Sequence, residues 1–302
     1  MAENSKIEWC DHTWNPWIGC TRISPACDHC YAARIDHRFG GGHWGAGAPR
    51  KRTSASNWKQ PLRWNRQAAE RGVRYRVFCA SLADVFDNEV PAEWRADLFD
   101  LIRATPHLDW LLLTKRIGNA FTMLPCDFSP DAFPNVWLGA TVVNQDEAVR
   151  DIPKLLTINA PVRFLSIEPM LGPIDLRLTV AAPLWAGDGP NARAFNSDRL
   201  GLHWIIAGGE SGPQARPSHP DWFRSLRDQC AAAGVPFLFK QWGEWVPPRQ
   251  QRLEDWQSDG VTMTTKFCRL DDGIEMYRVG KTHAGRALDG RTWDQFPQER
   301  GL

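Results

Sequence analysis

The stretch Trp14-Asn15-Pro16-Trp17-Ile18-Gly19-Cys20-Thr21-Arg22-Ile23-Ser24-Pro25-Ala26-Cys27-Asp28-His29-Cys30-Tyr31 carries three cysteines within eleven residues, Cys20, Cys27 and Cys30. Three thiolates are one short of the four ligands that a closed zinc site takes. A 4Fe–4S cluster held by three cysteines keeps one iron without a protein ligand, open to a small molecule such as S-adenosylmethionine. A zinc knuckle completed by Cys10, His12, His29 or His37 satisfies the same short spacings. On the loop alone both readings stand.

Outward from this loop the chain is regular. An apolar run at Thr13–Ile18 precedes the cysteines, and further short runs rich in β-formers follow at Tyr75–Ala80, Asp109–Leu113, Asn135–Ala140, Val162–Ile167, His203–Ala207 and Pro236–Phe239. Between them, Pro91–Thr105, Gln145–Leu156 and Asp221–Ala233 repeat apolar residues at three to four, the period of a helix packed on one face. Strands apolar on both faces, alternating with helices, predict a parallel sheet covered by helices. Seven such units predict a partial or nearly closed parallel (β/α) barrel. The doubly wound alternative lacks a Gly-x-Gly-x-x-Gly after an early strand.

Each apolar run ends in groups able to bind or react: Ser81 and Asp84, Thr114 and Lys115, Thr141 and Asn144, Ser166 and Glu168, Gly208-Gly209-Glu210-Ser211-Gly212, and Lys240-Gln241. In parallel α/β barrels the site forms from the loops at the carboxyl ends of the strands. The cysteine loop follows the first strand, so these groups are expected to face one mouth. Glu168, Glu210 and Lys240, at the ends of three strands, are the candidate catalytic groups. A binding module has no need of such a series.

The 302 residues, 43% of them hydrophobic, suffice for one large domain or two small ones. Residues 1–242 are expected to form the barrel and 243–302 an extension or lid bearing Trp245, Trp256 and Trp293. No run of 18 apolar residues occurs and the opening residues carry no signal-like segment, so no membrane partner and a cytoplasmic setting are expected. Cys79 and Cys230 sit in apolar patterns and read as small buried hydrophobes. The net charge is +1, but residues 31–76 hold eleven Lys or Arg against Asp36 and Glu70. With Trp44, Trp58 and Trp64 interleaved, this segment can meet phosphates and stack on bases, or can be a solvated basic helix and glycine-rich loop. The nucleic-acid candidates are Arg50, Lys51, Arg52 and Trp58.

A cysteine triplet directly after the first strand of a parallel barrel resembles the radical S-adenosylmethionine superfamily, whose usual spacing is Cys-x3-Cys-x2-Cys with an aromatic before the third cysteine. Here the spacing is Cys20-x6-Cys27-x2-Cys30, with His29 in the aromatic's place. The whole chain also resembles a phage-associated family of unknown function with this widened triplet. The matching segments include Ile7-Glu8-Trp9, Trp14-Asn15-Pro16-Trp17, Arg50-Lys51-Arg52-Thr53, Leu113-Thr114-Lys115-Arg116, Phe164-Leu165-Ser166-Ile167-Glu168-Pro169, Gly208-Gly209-Glu210-Ser211-Gly212-Pro213 and Phe239-Lys240-Gln241-Trp242-Gly243.

The superfamily resemblance implies a 4Fe–4S cluster on Cys20, Cys27 and Cys30, S-adenosylmethionine as second cofactor, generation of a 5′-deoxyadenosyl radical, and an external electron donor. The superfamily's Gly-Gly-Glu follows its second strand and binds the cofactor's amino group. In this chain the second strand ends in Ser81-Leu82-Ala83-Asp84 and Gly208-Gly209-Glu210 comes at the sixth. By position, the resemblance gives Asp84 the ammonium, Thr141 and Asn144 the ribose hydroxyls, and Gly208-Gly209 close approach to a ligand. With the basic segment, the implied substrate is a nucleic-acid base, repaired or modified. The alternative is a zinc-stabilised nucleic-acid-binding protein without radical chemistry.

Overall fold

The computed structural model describes residues 3–176, 201–248 and 266–297. A seven-stranded sheet takes its strands in chain order, skipping only the short second and third strands of the chain, which pair with each other. That order is a partial parallel (β/α) barrel, as expected, and a doubly wound sheet would reverse direction part-way. The chain divides into two compact units, Met1–Thr141 with Asp151–Phe164, and Val142–Arg150 with Leu165–Leu302.

In the first unit the expected strand at Thr13–Ile18 is split. β1 (His12–Trp14) joins the sheet, and after Asn15-Pro16 the chain turns away into β2 (Trp17–Ile18). The cysteine loop, with a 3-10 turn at Pro25–Cys27, leads to α1 (Tyr31–Arg38). β3 (Lys51–Arg52) pairs antiparallel with β2, followed by α2 (Ala55–Trp58) and α3 (Gln60–Arg71). α3 begins on Pro61 and stops at left-handed Gly72, the asymmetry that starts and ends helices most cheaply. β4 (Tyr75–Cys79), α4 (Ala92–Arg103), β5 (Leu108–Thr114), α5 (Ile117–Met123) and β6 (Val136–Thr141) complete the alternation. β1, β4, β5 and β6 pair in parallel.

Tryptophans fill this core. Trp14 meets Trp58 and Trp110 edge-on at 5.2 and 5.5 Å, and Trp64 stacks on His12 at 4.3 Å. α6 (Gln145–Thr157) and β7 (Val162–Ile167) follow.

The second unit holds β8 (Trp204–Gly208), α7 (Pro220–Ala233) and β9 (Phe237–Gln241), with β8 and β9 parallel. Phe223 of α7 packs edge-on against Phe239 and Trp242 at 4.9 and 5.4 Å. The expected extension falls in this unit. Its β10 (Trp245–Val246), β11 (Phe267–Arg269) and β12 (Glu275–Arg278) form a small antiparallel sheet; α8 (Lys281–Ala284) and the hairpin β13 (Ala287–Leu288) and β14 (Arg291–Thr292) follow. Asp294 then bridges antiparallel to Leu238 of β9, and the Phe239 amide donates to the Trp293 carbonyl at 2.9 Å. Trp256 lies outside the described residues. No described helix is long and apolar enough to cross a membrane.

Candidate functional site

In the first unit the chemistry gathers around Cys20. Asn15, just past β1, anchors the loop: its Oδ1 accepts the Leu82 amide at 2.6 Å and its Nδ2 donates to Ser81 Oγ at 3.0 Å. Arg116, just past β5 and almost wholly buried, donates to Cys20 Sγ at 3.4 Å and to the Thr21 carbonyl at 2.8 Å. Two buried carboxylates hold that guanidinium, Asp84 at 3.6 Å and Asp87 at 3.8 Å. Burial, with the Asp84 charge, pushes the Cys20 thiol up to about 11, against the opposing pull of Arg116.

Asp84, given the ammonium by resemblance, already accepts the Phe86 amide at 3.0 Å, the Thr114 hydroxyl at 2.7 Å and the Lys115 amide at 3.1 Å. It ties the loop after β4 to the loop after β5. Arg50, expected to meet phosphate, has a fully buried side chain. Its guanidinium binds Asp87 at 2.7 Å, the Thr21 hydroxyl at 2.7 Å and the carbonyls of His43, Gly45 and Ala48. Local charge did not foretell exposure here. Lys51 is exposed, and Arg52 lies over the Trp58 ring at 4.4 Å while pairing with Asp97.

All three loop cysteines are free of disulfides and partly exposed. Cys27 closes the 3-10 turn, and Cys30 is the N-cap of α1, where unpaired amides and the helix dipole favour negative charge. Three thiols on one loop, one facing a cation and one at a helix start, are a donor set suited to an anionic cluster. Among the described residues no three His, Cys, Asp or Glu side chains converge on one metal position.

The second unit carries its own polar group. Lys240 Nζ donates to both oxygens of Glu168 at 2.9 Å, and Gln241 Nε2 donates to Glu168 Oε1 at 2.8 Å and to Ser211 Oγ at 3.1 Å. The carboxylate fixes the orientation of the Gln241 amide, since a flip would set oxygen against oxygen. Gln241 Oε1 is left buried without a hydrogen-bond partner among the described residues.

Two expectations on the glycines are corrected. A β-carbon on Gly208 would come 3.3 Å from Glu168 Cδ, and one on Gly209 would overlap the Trp242 carbonyl. These glycines make room for the Glu168 side chain and the Trp242–Gly243 main chain. Glu210 is engaged by Arg216, whose Nε and amide donate to Oε2 at 2.8 Å and whose Nη2 donates to Oε1 at 2.7 Å. Asn144 Oδ1 caps α6 by accepting the Glu147 amide at 2.9 Å. The Thr141 hydroxyl at the end of β6 is buried and has no hydrogen-bond partner among the described residues.

A family model described as "Protein of unknown function (DUF5131)" matches residues 4–297. The chain belongs to that family. No curated protein matches it. Among solved structures, a spore photoproduct lyase double variant with bound AdoMet and dinucleoside spore photoproduct is 11% identical, covering 91% of this chain and 70% of its own, with a TM-score of 0.42. The lyase complexed with dinucleoside spore photoproduct is 10% identical, covering 93% and 72%, with a TM-score of 0.40. For the DUF5131 chain, Arg116, Asp87 and Arg216 are the additions to the site residues read from sequence. Arg116 follows directly on the strand-end pair Thr114-Lys115 and closes the segment Leu113-Thr114-Lys115-Arg116 that carries the resemblance, and those were the signals pointing to it.

Proposed function

We propose that this DUF5131 protein is a radical S-adenosylmethionine enzyme whose Cys20, Cys27 and Cys30 hold a 4Fe–4S cluster. The observation that carries the reading is the loop itself: three free thiols directly after a β1–β2 turn at the carboxyl end of a parallel strand, with a buried Arg116 on the first of them. When bound, the cluster would supply the electron that cleaves S-adenosylmethionine reductively. Arg116 balances negative charge on Cys20, and the Asp84–Asp87–Arg50 frame keeps that guanidinium in place. The α1 N-terminus does the same at Cys30.

Glu168, Lys240 and Gln241 are proposed as the group that orients the second cofactor or the substrate. Lys240 keeps one N–H beyond the two it gives Glu168, and Gln241 Oε1 offers a buried acceptor. A ligand that presents an acceptor beside a donor satisfies both. In the first unit, the buried Thr141 hydroxyl is a separate candidate contact for the ribose that the resemblance implies. The substrate class is a nucleic-acid base, supported by the excess of cations in 31–76 and by exposed Lys51 and the Arg52–Trp58 pair.

Protein purified without oxygen should be brown and bind about four irons per chain after reconstitution. It should cleave S-adenosylmethionine to 5′-deoxyadenosine when reduced. A colourless protein with one tight zinc on the same cysteines would sink this reading in favour of a zinc-stabilised nucleic-acid-binding protein.

A further inference from the structure

A further polar group lies in the first unit, away from the cysteine loop. His12 opens β1 and Tyr75 opens β4, two neighbouring parallel strands. At their amino ends is a cavity of about 370 Å³, lined by these two residues, by Gln67 and Arg71 of α3, and by Glu3 and Asp11 among others. The residues of β4 span about 16 Å, so the cavity sits at the opposite end of that strand from Ser81 and Leu82. Its volume is at the small end of the range that small-molecule sites occupy.

His12 is the group that lacks a partner. It is 4% exposed, its ring stacks on Trp64 at 4.3 Å, and Tyr75 meets it edge-on at 5.0 Å, so the imidazole is held in one orientation. Nδ1 accepts the Asn4 amide at 3.2 Å, and a neutral ring then carries its proton on Nε2. Burial favours that neutral form. The Nε2–H is buried without a hydrogen-bond partner among the described residues, although a buried donor left unpaired costs stability. Tyr75 Oη accepts from Arg71 Nη1 at 2.8 Å, which leaves the phenol its own proton to give. Gln67, half-buried one turn before Arg71, presents a donor and an acceptor side by side.

The charges at the cavity are already answered. Glu3 is held by Arg63 at 2.6 Å, and Asp11 faces the Arg76 guanidinium at 3.5 Å. Arg71 stands in the last turn of α3, where the helix dipole favours a cation. An ion therefore gains little there, and a neutral ligand suits the site. A carbonyl oxygen can accept from the His12 Nε2–H and the Tyr75 hydroxyl, and an adjoining N–H can donate to the Gln67 carbonyl. We propose that this cavity binds a small planar lactam or carboxamide, the chemistry shared by free nucleobases such as uracil and by nicotinamide. The site is separate from the strand-end groups described above, and it stands whether or not the cysteines hold a cluster.

Calorimetric titration of the purified full chain with uracil, hypoxanthine and nicotinamide tests this. At least one of them should bind, while adenine, which has no carbonyl, and nicotinate, which is an anion, should bind about tenfold more weakly or worse. Binding by uracil or hypoxanthine alone assigns a nucleobase as the ligand, and binding by nicotinamide alone assigns a nicotinamide compound. Tyr75→Phe and Gln67→Ala, each with the circular dichroism of the parent, should weaken the bound amide by about fivefold or more. In the parent, the ring-nitrogen resonances of His12 should move when the amide binds. The proposal is overturned if none of the three binds, or if nicotinate binds as tightly as nicotinamide. Variants that bind like the parent, or His12 resonances that stay in place, overturn it as well.

Discussion

Arg116 donates to Cys20 Sγ at 3.4 Å while Asp84 and Asp87 face its guanidinium from 3.6 and 3.8 Å. A loop thiol is thereby tied to the ends of two sheet strands through buried charge. Removing one member leaves the others uncompensated in a low-dielectric setting. Arg116→Gln is therefore expected to lower stability by about 3 kcal/mol, and Arg116→Lys, which keeps the charge but loses the fork, by less. Urea midpoints of the apoproteins measure both, and equal midpoints for all three proteins would contradict the network.

Metal content separates the cysteines. Cys20→Ala, Cys27→Ala and Cys30→Ala should each abolish the cluster absorbance. Cys79→Ala and Cys230→Ala should keep it, because burial alone surrounds those thiols and pushes Cys230 up to about 12. Iron analysis after anaerobic reconstitution decides this, and iron retained by a loop variant would remove that residue from the ligand set.

Glu210 belongs to a bidentate pair with Arg216. A strand-end group serving only a ligand would lose little stability on Glu210→Gln, whereas the geometry gives a loss of about 2 kcal/mol, the scale of charge-assisted hydrogen bonds to a buried carboxylate. Glu168→Gln, in a pair that solvent reaches, should cost less and act chiefly on cofactor cleavage. Melting temperatures rank the two variants, and the reverse order would undo the assignment.

Gly209→Ala should be among the most disruptive single-methyl changes, since its β-carbon would overlap the Trp242 carbonyl and only backbone movement relieves that. Gly208→Ala meets the Glu168 side chain at 3.3 Å, which can shift by a few tenths of an ångström. Soluble yield and thermal midpoints should therefore fall much further for Gly209→Ala, and similar losses at both positions would argue against the close approach.

His12 gives a pH dependence. Burial holds its folded value below the ordinary 6.5, and its Nδ1 accepts the Asn4 amide at 3.2 Å, a bond that protonation there would break. Below 6.5 the unfolded chain takes up the proton first, so stability falls as pH drops from 6.5 toward the folded value. His12→Gln should flatten this part of the stability profile, measured by urea unfolding between about pH 7 and pH 5. An unchanged slope would mean other groups set it.

The strands were legible because a parallel sheet buries both faces, and β5, β6 and β8 are almost wholly apolar runs. Val162–Ile167 matches in full. The first strand was not, because Asn15-Pro16 breaks it and β2 pairs with Lys51–Arg52, a long-range partner no local pattern reveals. Glu168 and Lys240, read as separate strand-end groups, pair with each other. Arg50 was misjudged because eleven cations in one segment say nothing about which of them turns inward to Asp87. The glycines of Gly208-Gly209-Glu210 signalled close approach correctly. What approaches is the protein itself, and Trp242 is too distant in sequence for the motif to say so.

The bridge from Asp294 to Leu238 has a consequence for any shortened chain. β9 is the last strand of the sheet, and the segment after β14 engages its amides and carbonyls. Deleting the residues beyond Gly290 would bare a row of unpaired donors and acceptors beside Phe237 and Phe239, a template for strands of other molecules. Such truncations would then be lost by intermolecular sheet growth even where the remaining fold is intact. Expression yield at the C-terminus is thus governed by shielding of a strand, not by chemistry at the cysteines.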